Sequence, residues 1–293
     1  MENAVNIAVL MACYNRKELT GRCLTHLFEA ASDANLEVFL VDDGSTDGTA
    51  EMVRATWPTV KIVTGTGSLF WSGGMNLAWS SALSAKSDYD AFLWLNDDAA
   101  LYRTGLHGML SDLAAVRRSP DEPVIIVGAM QDQAGSRVTY GAQEIPSKRK
   151  PLRMSVVEPS GSPAPCDTFS GNAVLITRAV VDRVGLLSAD FQHTFADLDY
   201  GLRARKAGVG VFGSSDYVGT CELNTVDGTF ADPALSRWRR VGLLRRAEGS
   251  VHARDWRTFV GKHSGLGPFA WLYTLAPYLR VMATGRLSSP NRR

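Results

Sequence analysis

Residues 36–49 read LEVFLVDDGSTDGT, and residues 91–98 read AFLWLNDD. Each is a short run of β-branched, aromatic or leucine residues that stops abruptly at acidic side chains. Such runs, bounded by turn formers, predict strands covered on both faces. Working outward, the same pattern gives strand candidates at Asn6–Ala12, Leu36–Asp42, Val60–Thr64, Ala91–Asn96 and Val124–Ala129. Helical periodicity fills the gaps at Arg16–Ala31, Gly48–Trp57, Gly73–Ser84 and Arg103–Arg117. In the first of these Leu19, Cys23, Leu24, Leu27 and Phe28 share a face. Alternation of strand and helix predicts right-handed crossovers and an α/β fold with a mostly parallel sheet flanked by helices. Ligands of such sheets sit beyond the carboxyl ends of the strands, so the residues that end them are the candidate site.

Strand one ends in Ala12-Cys13-Tyr14-Asn15-Arg16, strand two in Asp42-Asp43-Gly44, and strand four in Asn96-Asp97-Asp98. Ser45, Thr46 and Asp47 precede a helix and suit turn and capping roles. Asp97 and Asp98 are different, because a further acidic strand end adds like-charge repulsion unless a cation or a donor group compensates it. Mg²⁺ and Mn²⁺ take oxygen ligands, commonly one or two carboxylates completed by phosphate oxygens. The pattern fits a metal–diphosphate site. Residues 67–76, GSLFWSGGMN, open a helix; paired glycines permit close backbone approach, and a helix N-terminus favours an anion. Capping of the loop-to-helix junction is the structural alternative for those glycines.

CYNR, VDDGSTDGT, SGGMN and LNDD, in this order and spacing, resemble glycosyltransferase family 2 with its GT-A fold, over roughly residues 6–225. Beyond residue 217 the likeness narrows to bacterial members that build surface polysaccharides, rhamnosyltransferases among them. The resemblance implies that LNDD stands for the family's Asp-x-Asp motif, with Asn96 in place of the first acid. Asp98 would then bind a divalent metal (Mn²⁺ or Mg²⁺), and Asp97 would contact the ribose or the metal's surroundings. Asp42 and Asp43 would meet base and ribose, and Tyr14, Asn15 and Arg16 would line the base pocket beside Ala12. Trp71, Gly74 and Asn76 would lie along the nucleotide sugar, as would Asn96. HTFADLDYGLR, residues 193–203, matches the family's Glu-Asp segment with Ala196 at the Glu position. Asp197 falls at the general base, a role that suits a carboxylate receiving an acceptor proton. A first-turn acid favoured by the helix dipole is its structural alternative. Asp199 and Arg203 are spaced as an i,i+4 pair.

The chain has 293 residues, 45% hydrophobic and 21% charged, and a net charge of +1. Residues 237–293 nevertheless hold twelve Lys and Arg against Glu248 and Asp255, leaving an acidic body with a basic tail. Its arginines and the later Phe269, Trp271, Leu272, Tyr273, Leu275, Tyr278 and Leu279 suit a lipid–water interface, or else packing on the body or in a homodimer. The expected division is a catalytic domain over 1–232, with donor binding in 1–130 and the acceptor side in 131–232, then a basic, aromatic helical region over 233–293. Residues 141–165, rich in Pro, Ser and basic residues, read as a loop. A further strand is expected at Ala173–Thr177 and a helix from Asp197 to Ala207. His252 and His263 stand alone and read as packing or surface residues. Four unpaired cysteines, no leader-like N-terminus and no long apolar stretch point to a cytoplasmic protein.

Expected partners are a UDP- or dTDP-linked sugar and a glycan or lipid-linked acceptor, not nucleic acid. A sugar nucleotidyltransferase would carry a glycine-rich loop after strand one, where CYNRKEL stands. A dinucleotide dehydrogenase would carry G-x-G-x-x-G there. A non-catalytic sugar-nucleotide binder remains the reading from another class.

Overall fold

Successive residues of a strand point to opposite faces, and both faces of the central sheet are buried. In β1 (Val5–Cys13) Ala8 and Leu10 join one apolar cluster, while Ile7, Val9 and Met11 join another. The computed structural model describes residues 5–31, 34–85, 88–147, 152–192, 194–224, 226–247 and 251–283. After β1 come α1 (Lys17–Glu29), β2 (Ala34–Asp42), α2 (Thr49–Thr56), β3 (Lys61–Thr64), α3 (Phe70–Ala85) and β4 (Ala91–Leu95). The chain continues through β5 (Ala100–Leu101), α4 (Gly105–Val116), β6 (Val124–Gln131), β7 (Val138–Glu144), β8 (Ser155–Val156), β9 (Ala164–Pro165) and β10 (Thr168–Ser170). It ends with β11 (Ala173–Thr177), α5 (Arg178–Val184), α6 (Ala196–Lys206), β12 (Gly210–Thr220), α7 (Arg237–Ala247), α8 (Val251–His263), α9 (Trp271–Thr274) and α10 (Ala276–Ala283).

The strands run in the order β10-β7-β6-β11-β4-β1-β2-β3, with β12 beside β6. β4, β1, β2 and β3 are mutually parallel, as the crossovers through α1, α2 and α3 require. β12 is parallel to β6, whereas β11 enters antiparallel between β4 and β6. The sheet is therefore GT-A-like and mixed at its centre. One face packs on α1, α2 and α4 through Cys23, Leu24, Leu27, Val53, Leu106 and Met109. The other is an aromatic layer in which Trp94 of β4 meets Trp79, Tyr200 and Phe169 at centroid distances of 5.4, 5.1 and 6.0 Å. Aromatic pairs of this kind add about 0.5–1.5 kcal/mol each beyond their burial.

Two regions depart from the sequence reading. The loop expected over 141–165 contains the end of β7 together with β8 and β9. Short strands that pair only through their backbone need no apolar pattern, and Pro is tolerated at such edges. β12, with the sequence GVFGSSDYVGT, carries no strand signal because its glycines read as turns. Its Gly219 lies so close to β5 that an added Cβ would stand 2.4 Å from the Ala100 carbonyl oxygen, so the glycine answers to a neighbour.

α8 packs into the aromatic layer through Phe259 and Trp256 and shares the core of the body. His263 packs there too, its Nε2 2.8 Å from Asp199. The His252 and Arg246 side chains, and Glu248 entirely, lie outside the described residues.

Candidate active site

Beyond the carboxyl ends of β1 and β4, and against the start of α6, lies a cavity of about 660 Å³. Ala12, Tyr14, Arg16, Asp43, Trp71, Asn96, Asp97, Asp98 and Asp197 line it, so most of the expected site is brought together from five separate stretches of chain. Asn15, Asp42, Gly74 and Asn76 are not among the residues that line it. Asn15, left-handed at φ 51°, ties the β1 loop to the β2 turn: its side chain accepts from the Thr46 N–H at 2.7 Å. Asp42 accepts from the Ser45 N–H at 2.8 Å. An added Cβ on Gly74 would lie 2.8 Å from the Ala12 Cβ, so that glycine lets α3 pack against β1. Asn76 donates to the Leu187 carbonyl at 3.1 Å.

Asp43 shapes the loop that leads into α3. Its carboxylate accepts from the backbone N–H groups of Gly67, Leu69 and Phe70 at 2.7, 2.8 and 3.3 Å. Phe70 begins α3 at φ 54°, and Phe195 precedes α6 at φ 67°. A bulky residue held in that region costs on the order of 1–3 kcal/mol, and both of these residues line the cavity.

The acidic wall is bridged by Arg16, whose Nη1 donates to Asp97 Oδ1 at 3.1 Å and to Asp98 Oδ2 at 2.9 Å. Burial pushes the Asp97 carboxyl up to about 7; Arg16 pulls it down, and the neighbouring Asp98 adds to the rise. The second Asp97 oxygen is buried without a hydrogen-bond partner. The Cys221 thiol, held protonated by burial and by Asp98, donates to Asp98 Oδ1 at 3.5 Å. Hard oxygen donors with an unmet carboxylate oxygen suit Mg²⁺ or Mn²⁺. No cluster of three His, Cys, Asp or Glu occurs among the described residues, so phosphate oxygens and water would complete the coordination.

Asn96 departs from Asp-x-Asp for a reason visible in its contacts. Its Oδ1 accepts from Trp71 Nε1 at 2.8 Å, and its Nδ2 donates to Asn172 Oδ1 at 2.5 Å. A carboxylate could accept from Trp71 but could not donate to Asn172. Asn96→Asp should therefore lower stability by about 1–3 kcal/mol through an unmet buried acceptor and a third neighbouring charge. Thermal unfolding of variant and wild type at neutral pH checks this, and an unchanged midpoint would refute it.

Asp197 sits in the first turn of α6, whose N-cap residue, Phe195, offers no side-chain hydrogen bond. Asp197 accepts from the Gly171 N–H at 3.1 Å and from the Leu198 N–H at 2.8 Å. Burial raises its carboxyl above the ordinary range, opposed by those backbone donors. Asp199 and Arg203 do form the expected pair, at 2.7 Å. Burial works to raise the Asp199 carboxyl, but hydrogen bonds from His263 and Arg203 hold it below its ordinary value.

Sequence reasoning missed Ser170, Gly171 and Asn172 on the cavity wall, as well as Tyr140 and Asn224. The Ser-Gly-Asn triplet just ahead of β11 was the available signal.

The fold and the cavity define an α/β protein with an acidic, cation-suited wall at its strand ends. The family model for glycosyl transferase family 2 matches residues 8–170, more than half the chain, and the chain belongs to that family. It is a glycosyltransferase. Among solved structures it is similar to S. aureus TarS 1–349, with a TM-score of 0.55 and 13% identity over 94% of this chain and 81% of that one. The mannosyltransferase PcManGT from Pyrobaculum calidifontis, in complex with GDP-Man and Mn²⁺, gives a TM-score of 0.52 at 20% identity over 96% of this chain and 76% of that one. TarS has also been solved with UDP-GlcNAc. At these identities the likeness establishes the GT-A fold. No curated protein matches the chain.

Proposed function

We propose that this enzyme is an inverting, metal-dependent hexosyl- or deoxyhexosyltransferase. It would move a sugar from a UDP- or dTDP-linked donor to a hydroxyl of a glycan or lipid-linked acceptor, in surface-polysaccharide synthesis. The observation that carries the reading is that Asp197 faces the same cavity as Asp97 and Asp98. A base and a cation-suited wall on one cavity are what displacement at an anomeric carbon needs. Residues 1–130 supply the donor side and 131–232 the acceptor side. Donors held by proteins of similar fold, UDP-GlcNAc in TarS and GDP-Man with Mn²⁺ in PcManGT, support a nucleotide sugar.

Asp197 accepts the proton of the acceptor hydroxyl as its oxygen attacks the anomeric carbon from the face opposite the diphosphate. The new C–O bond forms as the bond to the phosphate oxygen breaks, and its electron pair leaves with the nucleoside diphosphate. A divalent cation held by Asp98, with Asp97 alongside, would supply charge neutralisation to that leaving group. Arg16 already reaches both acids and offers a cationic hydrogen-bond donor beside them. Burial holds the Asp197 carboxyl closer to neutrality than an exposed acid, which strengthens it as a proton acceptor.

The test is full-length protein with Mn²⁺ against UDP-, dTDP- and GDP-sugars, followed by thermal shift and by donor turnover. Stabilisation with turnover supports transfer. Stabilisation without turnover on any acceptor favours a binding protein, and pyrophosphate release from nucleoside triphosphate with sugar phosphate favours a nucleotidyltransferase.

The C-terminal surface supports peripheral attachment at the inner face of an anionic membrane. Trp271, Leu275, Leu279 and Met282 recur at helical spacing and are 58, 43, 66 and 46% exposed. α7, which packs on α10, adds the exposed Arg237, Arg239 and Arg245. No helix among the described residues is long and apolar enough to cross a membrane. An apolar stripe flanked by cations matches interfacial binding. Wild type should sediment with phosphatidylglycerol vesicles and not with phosphatidylcholine, and the double variant Leu275→Glu, Leu279→Glu should lose that binding. A homodimer that dissociates in the variant, with no vesicle binding by wild type, would assign the stripe to a subunit interface instead.

A further inference from the structure

α8 touches almost every turn of the segment that delivers Asp197. Near its start Asp255, fully buried, accepts from the Thr194 N–H at 2.9 Å and from the Gln192 N–H at 3.3 Å. One turn on, Phe259 stacks on Phe195 with ring centroids 5.2 Å apart and planes 24° from parallel. Trp256 stands 5.5 Å from the same ring. At its end His263 reaches Asp199, one turn into α6. The two anchors therefore straddle Asp197, and the left-handed Phe195 between them is held by rings from the same helix. A buried carboxylate that takes two backbone N–H groups is costly to desolvate, and its return is a fixed turn.

We infer that α8 is a brace for the reaction centre and that Asp255 is a positioning residue. Asp255 pins Gln192 and Thr194 so that the strained Phe195 turn presents Asp197 to the acceptor. The inference rests on the reading of Asp197 as the base. It gives the C-terminal region a role in transfer distinct from attachment to a surface. Asp255 does not line the cavity, so it acts through the turn and not on substrate.

Asp255→Asn keeps the size of the side chain but replaces one carboxylate oxygen with an amide that faces backbone donors. In the full chain kcat should fall about 10–10²-fold, because small misplacement of a reacting group costs that much. Donor KM, and nucleotide binding measured by calorimetry, should stay within about twofold, since residues of the donor wall are untouched. The decisive comparison is the same substitution in an Asp197→Asn background. If Asp255 works through Asp197, it should change the residual rate there by less than about twofold. Phe259→Leu, which removes the stack and leaves Asp255 intact, should show the same pattern and serves if Asp255→Asn does not fold. Wild-type kcat in both variants would overturn the inference, and so would an undiminished loss in the Asp197→Asn background or a matching loss of nucleotide affinity. Wild-type kcat in Asp197→Asn alone would overturn the underlying assignment of the base. An impaired Asp197→Asn beside an unimpaired Asp255→Asn would sink only the brace.

Discussion

Asp197→Asn is expected to bind nucleotide sugar as wild type does and to transfer it at least about 10²-fold more slowly. The amide keeps the size of the side chain but has one acceptor oxygen where Asp197 uses two, so it retains one of the bonds from Gly171 and Leu198, while the donor wall at the ends of β1, β2 and β4 is untouched. What it loses is a lone pair basic enough to take the acceptor proton as the oxygen attacks. A 10²-fold loss is about 2.7 kcal/mol of transition-state stabilisation, within the range a positioned general base supplies. Steady-state transfer with saturating donor, beside calorimetric donor binding, separates the two quantities. Equal loss in binding and turnover would mean that Asp197 holds the site together, and near wild-type turnover would remove it as the base.

Asp98→Ala should abolish Mn²⁺-dependent nucleotide binding, because Asp98 is the side chain that would hold the cation proposed to neutralise the diphosphate. EDTA should produce the same loss in wild type. The substitution also leaves Arg16 with a single acidic partner, Asp97, whose carboxyl lies near 7 because it is buried. Mn²⁺ must therefore displace a proton below that value. Its apparent affinity in wild type should rise between about pH 6 and pH 8 and level off above, as expected when ligands must be deprotonated. The sign for folding follows from the same shift. A carboxyl raised above its unfolded value takes up protons on folding, so its contribution to stability falls as pH rises towards about 7. Mn²⁺ should restore that loss, measurable as a larger thermal shift at pH 8 than at pH 6. Full activity in EDTA would exclude the metal and leave Arg16 as the cation beside the leaving group.

The primary sequence by itself determined the α/β core and the acidic part of the cavity wall. Strands β1, β2 and β4 are buried on both faces towards their carboxyl ends, so each carries an uninterrupted apolar run, at 7–13, 38–41 and 91–95, and the polar residues that stop it mark the ligand edge. Ala12, Asp43, Asp97 and Asp98 were legible for that reason. Asp197 was legible only through the resemblance, because an acid in the first turn of a helix is ordinary.

Tertiary structure decided the rest. β12 is invisible in sequence because its glycines are required by Ala100 and by Ala142 of β7, neither a sequence neighbour. Arg16 reaches from the end of β1 to the acids that follow β4, where opposite charge and a buried carboxylate hold it. Asn96 reads as a degraded motif until Trp71 and Asn172 are seen on either side of it, one giving and one taking a proton. The role of α8 depends on hydrogen bonds that Asp255 accepts from backbone N–H groups about sixty residues earlier in the chain. Side-chain periodicity records which face of an element is buried. It carries no record of which distant backbone or side-chain group an individual polar residue will meet, and in this enzyme those meetings shape the cavity around Asp97, Asp98 and Asp197.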